Sequence, residues 1–177
     1  MSKPIPAEPV KLIFSVFATA SAKINETIAL LVERYGRLDF VSAEMPFDYT
    51  GYYGAEMGSN LVRRFMSAEE LLKPDDLPDV KLAANDLEKE FMAAGCRLVN
   101  VDPGYISKSH LILATGKGYA HRPYLRDGIY ADLTLIYQAG KFCPLPWTYP
   151  DYADEKQILM FGKIRARYLL QLKAVRQ

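Results

Sequence analysis

The apolar positions change period several times along the chain, and each change marks an element. Residues 10–18 (VKLIFSVFA) form a nearly unbroken apolar run, short and β-rich, which predicts a central strand. After it Ile24, Ile28, Leu31, Val32 and Tyr35 recur at helical spacing, with Ser21 placed to cap the start and Gly36 to close the end. Residues 38–45 return to strand character and stop before Pro46. Residues 46–58 are too rich in glycine for a helix and too irregular for a strand, so they predict a long loop.

Residues 61–66 resume as a strand. Ser67-Ala-Glu-Glu70 has capping-box spacing and predicts a short helix ended by Pro74. Residues 79–94 predict a long helix with Ala83, Leu87, Phe91 and Ala94 inward and Gly95 at its end, and residues 97–101 a fourth strand. Asp102-Pro-Gly104 has the composition of a turn. Residues 107–115 fit a helix capped by Ser107 or a strand built on Leu111-Ile-Leu113; the helix is the preferred assignment. From Ile129 to Tyr137 apolar and polar positions alternate, and Gln138-Ala-Gly-Lys141 turns this strand into Phe142-Cys-Pro as a hairpin. A final helix from Asp154 carries Phe161, Ile164, Tyr168, Leu172 and Val175 on one face, with acids first and six Lys or Arg after them, matching the helix dipole.

These elements predict an α+β fold: a mixed sheet with a ferredoxin-like βαββαβ core, an added C-terminal hairpin and a closing helix. Residues 1–9, with three prolines, read as a flexible arm, and residues 10–177 as a single domain. The formal charge of +1 supplies no global pull toward nucleic acid or anionic membrane, so nucleic acid is an unexpected partner. No apolar run approaches the roughly 18–20 residues of a membrane helix, and the first residues lack the apolar core of a signal peptide. No membrane partner is expected, and cytoplasmic residence follows by elimination. Cys96 and Cys143 are the only cysteines and are expected to be reduced.

Candidate chemistry gathers in residues 104–152, which hold the one tryptophan, both histidines and seven of the twelve tyrosines. Residues 104–126 contain Lys108, Lys117, Arg122 and Arg126 and no acid, a composition suited to binding an anion. The competing explanation is internal neutralisation, since residues 38–62 carry Asp39, Glu44, Asp48 and Glu56 with no base. His121, Arg122 and Asp132 form the sharpest constellation: a proton carrier, an oxyanion holder and a carboxylate to orient the histidine. Asp132 falls on the more polar face of its strand and need not be core. Asp102, at the end of a strand, is a further ligand-binding candidate. The chain contains no P-loop, GxGxxG or Gly-x-Ser-x-Gly pattern, which leaves the cofactor unknown, and no His-x-His or HExxH spacing for a metal.

Residues 46–53 (PFDYTGYY), 61–65 (LVRRF), 100–105 (NVDPGY), 120–125 (AHRPYL), 128–137 (GIYADLTLIY) and 144–152 (PLPWTYPDY) together resemble a bacterial family of uncharacterised proteins. That family carries a domain-of-unknown-function label, and some members are described as GTP-binding. The resemblance spans nearly the whole chain and implies no particular catalytic residues.

The resulting expectation is a pocket for a small anionic ligand, a nucleotide or phosphorylated metabolite, between the Asp48–Tyr53 loop and residues 121–126. Lys117, Arg122 and Arg126 would hold the anion, and Tyr52, Tyr53 or Tyr124 would pack on a planar or apolar part. An enzymatic version makes His121 the proton carrier and Asp132 its orienter. The rival expectation is a non-enzymatic interaction module for another protein, a homodimer included, or more weakly for RNA, docking through the aromatic and proline-rich surface around Trp147 and Tyr149.

Overall fold

A computed structural model describes residues 3–47, 57 and 60–175 of the chain. Its elements are β1 (Val10–Ala18), α1 (Ser21–Tyr35), β2 (Leu38–Val41), β3 (Met45–Phe47), β4 (Leu61–Leu72), α2 (Leu77–Glu90), β5 (Met92–Ala93), β6 (Cys96–Arg97), β7 (Val99–Ile106), β8 (His110–Thr115), β9 (Tyr124–Arg126), β10 (Ile129–Gln138), β11 (Lys141–Pro144), α3 (Pro150–Ala153) and α4 (Glu155–Val175). The main sheet runs β11-β10-β8-β7-β1-β4-β2, with β3 also on β4 and β9 also on β10. The α+β class stands. The expected mixed sheet does not, because every strand pair among the described residues is antiparallel. Within the sheet β1-α1-β2 and β4-α2-β7 interleave, each enclosing one strand of the other.

β1 is buried along its whole length because it is central and covered on both faces. Leu12, Phe14, Val16 and Ala18 meet Ile24 and Leu31 of α1 and Val80, Ala84 and Leu87 of α2. On the other face Ile13 and Phe65 pack with Phe161 and Ile164 of α4, the helix whose apolar stripe was legible in the sequence. Lys11, also on β1, is fully buried; it donates to Asp39 and Gln171, tying β1 to β2 and α4. Burial lowers its pKa in spite of the Asp39 carboxylate. The inner end of the N-terminal arm is held as well, with Pro9 accepting from the Tyr168 hydroxyl and Glu8 paired with Lys108.

Several local expectations yield to pairing. Ser67-Ala-Glu-Glu70 does not cap a helix: β4 continues to Leu72, paired on one side with β1 and on the other with β2 and β3, and Ser67 and Ala68 are buried there. Residues 107–115 form no helix; His110–Thr115 are a strand, because β8 lies between β7 and β10 with Leu111 and Leu113 in the core. The predicted strand of residues 38–45 is two strands, and Pro46 sits inside β3, an outer strand that tolerates a missing N–H. Ser21 does not cap α1; its hydroxyl donates to Glu44 instead. The second long helix ends at Glu90, and Ala94 and Gly95, both at positive φ, form the two-residue turn between β5 and β6.

The Asp102-Pro-Gly segment is the most consequential revision. It is not a turn but the middle of β7, which pairs with β1 from Val99 to Ile106. On its other side β7 meets β8 only from Gly104 to Ile106. Glycine is required at that contact, since a Cβ on Gly104 would stand 2.4 Å from the Ile112 carbonyl oxygen and 2.7 Å from the Leu113 side chain. Pro103, just before it, has no N–H to offer a further ladder bond. Beyond this point β7 and β8 no longer pair, and a cleft opens between them.

Candidate functional site

The cleft has a volume of about 660 Å³, within the range of small-molecule sites. β7 contributes Asn100 and Asp102, β8 and the loop after it Leu113 to Lys117, and α2 Lys81, Asn85 and Glu88. Phe17, Phe47 and Arg63 lie at its base; Arg122, Asp132 and the segment from Tyr149 to Tyr152 complete it. The base follows from register: Phe17 is opposite Arg63 on β4 and Asn100 on β7, so these three form one row across adjacent strands.

The wall built by α2 and β7 compensates for the strand that has turned away. Val101 lacks a β8 partner, and its N–H donates to Glu88 at 2.8 Å while its carbonyl accepts from the Lys81 ammonium at 3.1 Å. Helical side chains thus replace the interrupted ladder, satisfying backbone groups that burial would otherwise leave costly. The network continues outward. Lys81 reaches Asp102 at 3.3 Å, Asn100 donates to the other Asp102 oxygen at 2.7 Å, and Arg97 bridges Glu88 and Asn100.

At the base, Arg63 is 4% exposed and paired with Asp151, itself 5% exposed. Four rings surround its guanidinium, with centroids 3.9 Å (Phe47), 5.1 Å (Phe65), 5.5 Å (Phe17) and 5.9 Å (Tyr152) away. Its Nε has no hydrogen-bond partner among the described residues. Burial pushes the Tyr152 phenol far above its ordinary pKa, so this ring stays neutral beside the ion pair.

On the far wall, Asp132 is 3% exposed, a core position rather than the solvent-facing one its strand alternation implies. The alternation slips at a bulge between Leu133 and Leu135. At that bulge the Leu133 and Thr134 carbonyls accept from the Trp147 indole and the Thr148 hydroxyl, binding the proline-rich segment to β10. Asp132 accepts from Arg122 at 2.8 Å; the other two Arg122 nitrogens donate to the Tyr149 hydroxyl and the Lys117 carbonyl. Burial works to lower the Arg122 pKa, but the Asp132 hydrogen bond and the neighbouring Tyr149 and Asp132 outweigh it and leave the group above its ordinary value.

The structure therefore brings His121, Arg122 and Asp132 together, but not as a histidine oriented by a carboxylate. Arg122 takes the Asp132 hydrogen bond, and His121 Nε2 stands 3.6 Å off, beyond hydrogen-bond distance. The imidazole stacks on Trp147 at 4.9 Å and is not among the cleft-lining residues, whereas Arg122, Asp132, Lys117 and Asp102 are. Arg126 lies elsewhere, in an exposed cluster whose hydrogen bonds to Asp79 and Asp127 raise its pKa. Tyr124 is exposed and packs edge-on against Tyr130, away from the cleft. Asp48, Tyr52 and Tyr53 lie outside the described residues. The acid-free stretch is neutralised in part, by Glu8, Asp132, Asp79 and Asp127, while Asp39 serves Lys11 and Arg167 instead.

Sequence reasoning missed Arg63, Lys81, Glu88, Arg97, Asn100 and Asp151, and assigned Tyr149 to a docking surface rather than to the cleft. A signal existed for two of them. Lys81 and Glu88 fall seven residues apart on the same helical stripe as Leu77, Ala84 and Leu87, where charged residues are out of place unless they have work on that face. Among the described residues no three His, Cys, Asp or Glu side chains converge to hold a metal ion, and no helix is long and apolar enough to cross a membrane.

Fold and cleft define an α+β protein whose antiparallel sheet parts around a charge-lined pocket. Residues 8–168 match the family described as a domain of unknown function, DUF4416, and the chain belongs to that family. No curated protein and no solved structure matches.

Proposed function

We propose that the cleft between β7 and β8 binds a small anionic ligand, a nucleotide or phosphorylated metabolite. One observation carries this reading: four cation–carboxylate pairs, Arg63–Asp151, Lys81–Asp102, Arg97–Glu88 and Arg122–Asp132, converge on a single cavity. Desolvated ion pairs seldom stabilise a fold better than apolar packing would, so their concentration in one cleft points to a ligand. Lys117 adds a further cationic side chain to the described lining, in keeping with an anion. A nucleotide such as GTP, which the family resemblance suggests, would be held by side chains, there being no P-loop. Asp132 orients Arg122 in this reading, not His121, so the reading is of binding first.

A thermal-shift screen of nucleotides and sugar phosphates tests it. A ligand at 100 times its Kd stabilises by about 2.7 kcal/mol, which raises Tm by roughly 5–10 °C for a chain of this size. Arg122→Ala is expected to remove the shift. A panel in which no anion moves Tm, or a shift that survives Arg122→Ala in a folded variant, refutes the pocket.

A second reading rests on exposed rings beside the cleft. Trp147 is 39% and Tyr149 47% exposed, and Tyr119, His121 and Trp147 form a run of touching rings. Such rings make interface anchors, for a second copy of this chain or another protein. Trp147 is the only tryptophan, so its fluorescence reports this surface alone. A homodimer predicts acrylamide quenching that weakens as protein concentration rises, together with a sedimenting dimer. Concentration-independent quenching of a monomer excludes it.

A further inference from the structure

The two walls of the cleft offer different chemistry, and the difference specifies the ligand more narrowly. On the α2–β7 wall the charges cancel, Lys81 and Arg97 against Asp102 and Glu88. Glu88 is spent on the Val101 N–H and Arg97. Asp102 is not spent: its side chain is 32% exposed, and each carboxylate oxygen takes one hydrogen bond, from Lys81 and from Asn100, with acceptor capacity left over. The Lys81 ammonium, in a residue buried by more than nine-tenths, has two partners for three N–H donors. A spare acceptor on an anion thus lies beside a spare donor on a cation, with the Asn85 amide adjoining in the same lining.

A ligand anion at this wall would be repelled by Asp102, and a ligand cation by Lys81. A hydroxyl suits both, because it donates to the carboxylate and accepts from the ammonium. The opposite wall has the reverse bias. Its carboxylate, Asp132, is buried and engaged by Arg122 and Thr134, while Arg122, Lys117 and the Tyr149 hydroxyl face the same cavity. This wall therefore presents cationic and hydroxyl groups to the cavity while its carboxylate is buried.

We infer that the ligand is a phosphorylated polyol of the sugar-phosphate class, its hydroxyls held by Asp102, Lys81 and Asn85 and its phosphate by Arg122, Lys117 and Tyr149. This rests on the cleft being the anion site proposed above.

The test is titration of the full chain with inorganic phosphate, ribose 5-phosphate, glucose 6-phosphate and the two unphosphorylated sugars, followed by calorimetry or thermal shift. At least one sugar phosphate is expected to bind about ten-fold or more tightly than inorganic phosphate, the effect of a hydrogen bond to a charged group. Asp102→Asn, which keeps the shape but replaces an acceptor with a donor, is expected to erase that advantage and leave phosphate affinity within about two-fold. Asn85→Ala, a change on α2 outside the ion-pair network, is expected to lower sugar-phosphate affinity without changing phosphate affinity, and it stands in if Asp102→Asn does not fold. Inorganic phosphate binding as tightly as every sugar phosphate overturns the hydroxyl wall while sparing the anion site, as do variants that weaken both ligands equally. Absence of binding by inorganic phosphate and both sugar phosphates overturns the sugar-phosphate assignment, and the anion site falls with it only if the nucleotides of the wider screen fail as well.

Discussion

Asp151→Ala is expected to lower stability by about 3–5 kcal/mol, the usual consequence of stranding one member of a buried ion pair. Arg63 has no other carboxylate partner among the described residues, and its guanidinium is enclosed by Phe17, Phe47, Phe65 and Tyr152. These rings offer cation–π attraction but no hydrogen-bond acceptors to match a carboxylate. Chemical denaturation of the variant measures the loss directly. The cause is checked by the double variant Arg63→Met/Asp151→Leu, which removes both charges and should recover most of the stability. A single variant costing less than about 1 kcal/mol, or a double variant as unstable as the single, would show that the stranded charge is not the source.

The second large effect lies on the opposite side of the same ring cluster. Phe161→Ala in α4 is expected to cost about 3–5 kcal/mol, as truncating a fully buried phenylalanine does. Phe161 is fully buried, stacks on Tyr152 at 5.5 Å and meets Phe65 edge-on at 5.3 Å. At about 2–4 °C per kcal/mol for a chain of this length, Tm should fall by roughly 6–20 °C. Leu170→Ala on the same helix is the internal contrast: that side chain is 66% exposed, and the change should stay within about 0.5 kcal/mol. Equal losses at the two positions would mean that α4 does not close the sheet as described. Since Tyr152 adjoins Asp151 and lines the cleft, a Phe161 cavity should also weaken ligand binding; the shift assay reads that separately from Tm itself.

Both variants concern residues whose importance was unevenly legible in the sequence. Phe161 belongs to a stripe with Ile164, Tyr168 and Leu172, and all four are buried as the helical period implies. Arg63 and Asp151 gave no such sign, because an arginine pair in a strand and an aspartate after a proline are ordinary surface residues. They meet across 88 positions of chain, and only the sheet register places Arg63 beside Phe17. Asp102 is intermediate: Asp-Pro-Gly was recognisable as unusual, yet its composition indicated a turn where the chain runs straight along β1.

Local pattern by itself determined the continuous strand at residues 10–18, the helices beginning near residues 21 and 155, and the hairpin of β10 and β11, since short-range period and turn chemistry suffice for these. It also assembled His121, Arg122 and Asp132 as neighbours in principle, through eleven residues of a basic loop and a returning strand. Tertiary structure decided the rest. Residues 67–72 and 110–115 became strands because flanking strands supplied both ladders, an energy that outweighs a capping box or a weak helical preference. The cleft exists because Gly104 admits β8 and the residues before it do not pair with it, which leaves Val101 to the side chains of α2. No local signal encodes such a parting of strands: it is a relation between β7, β8 and α2, and the charged residues it gathers come from segments that share nothing in sequence but their place around one gap.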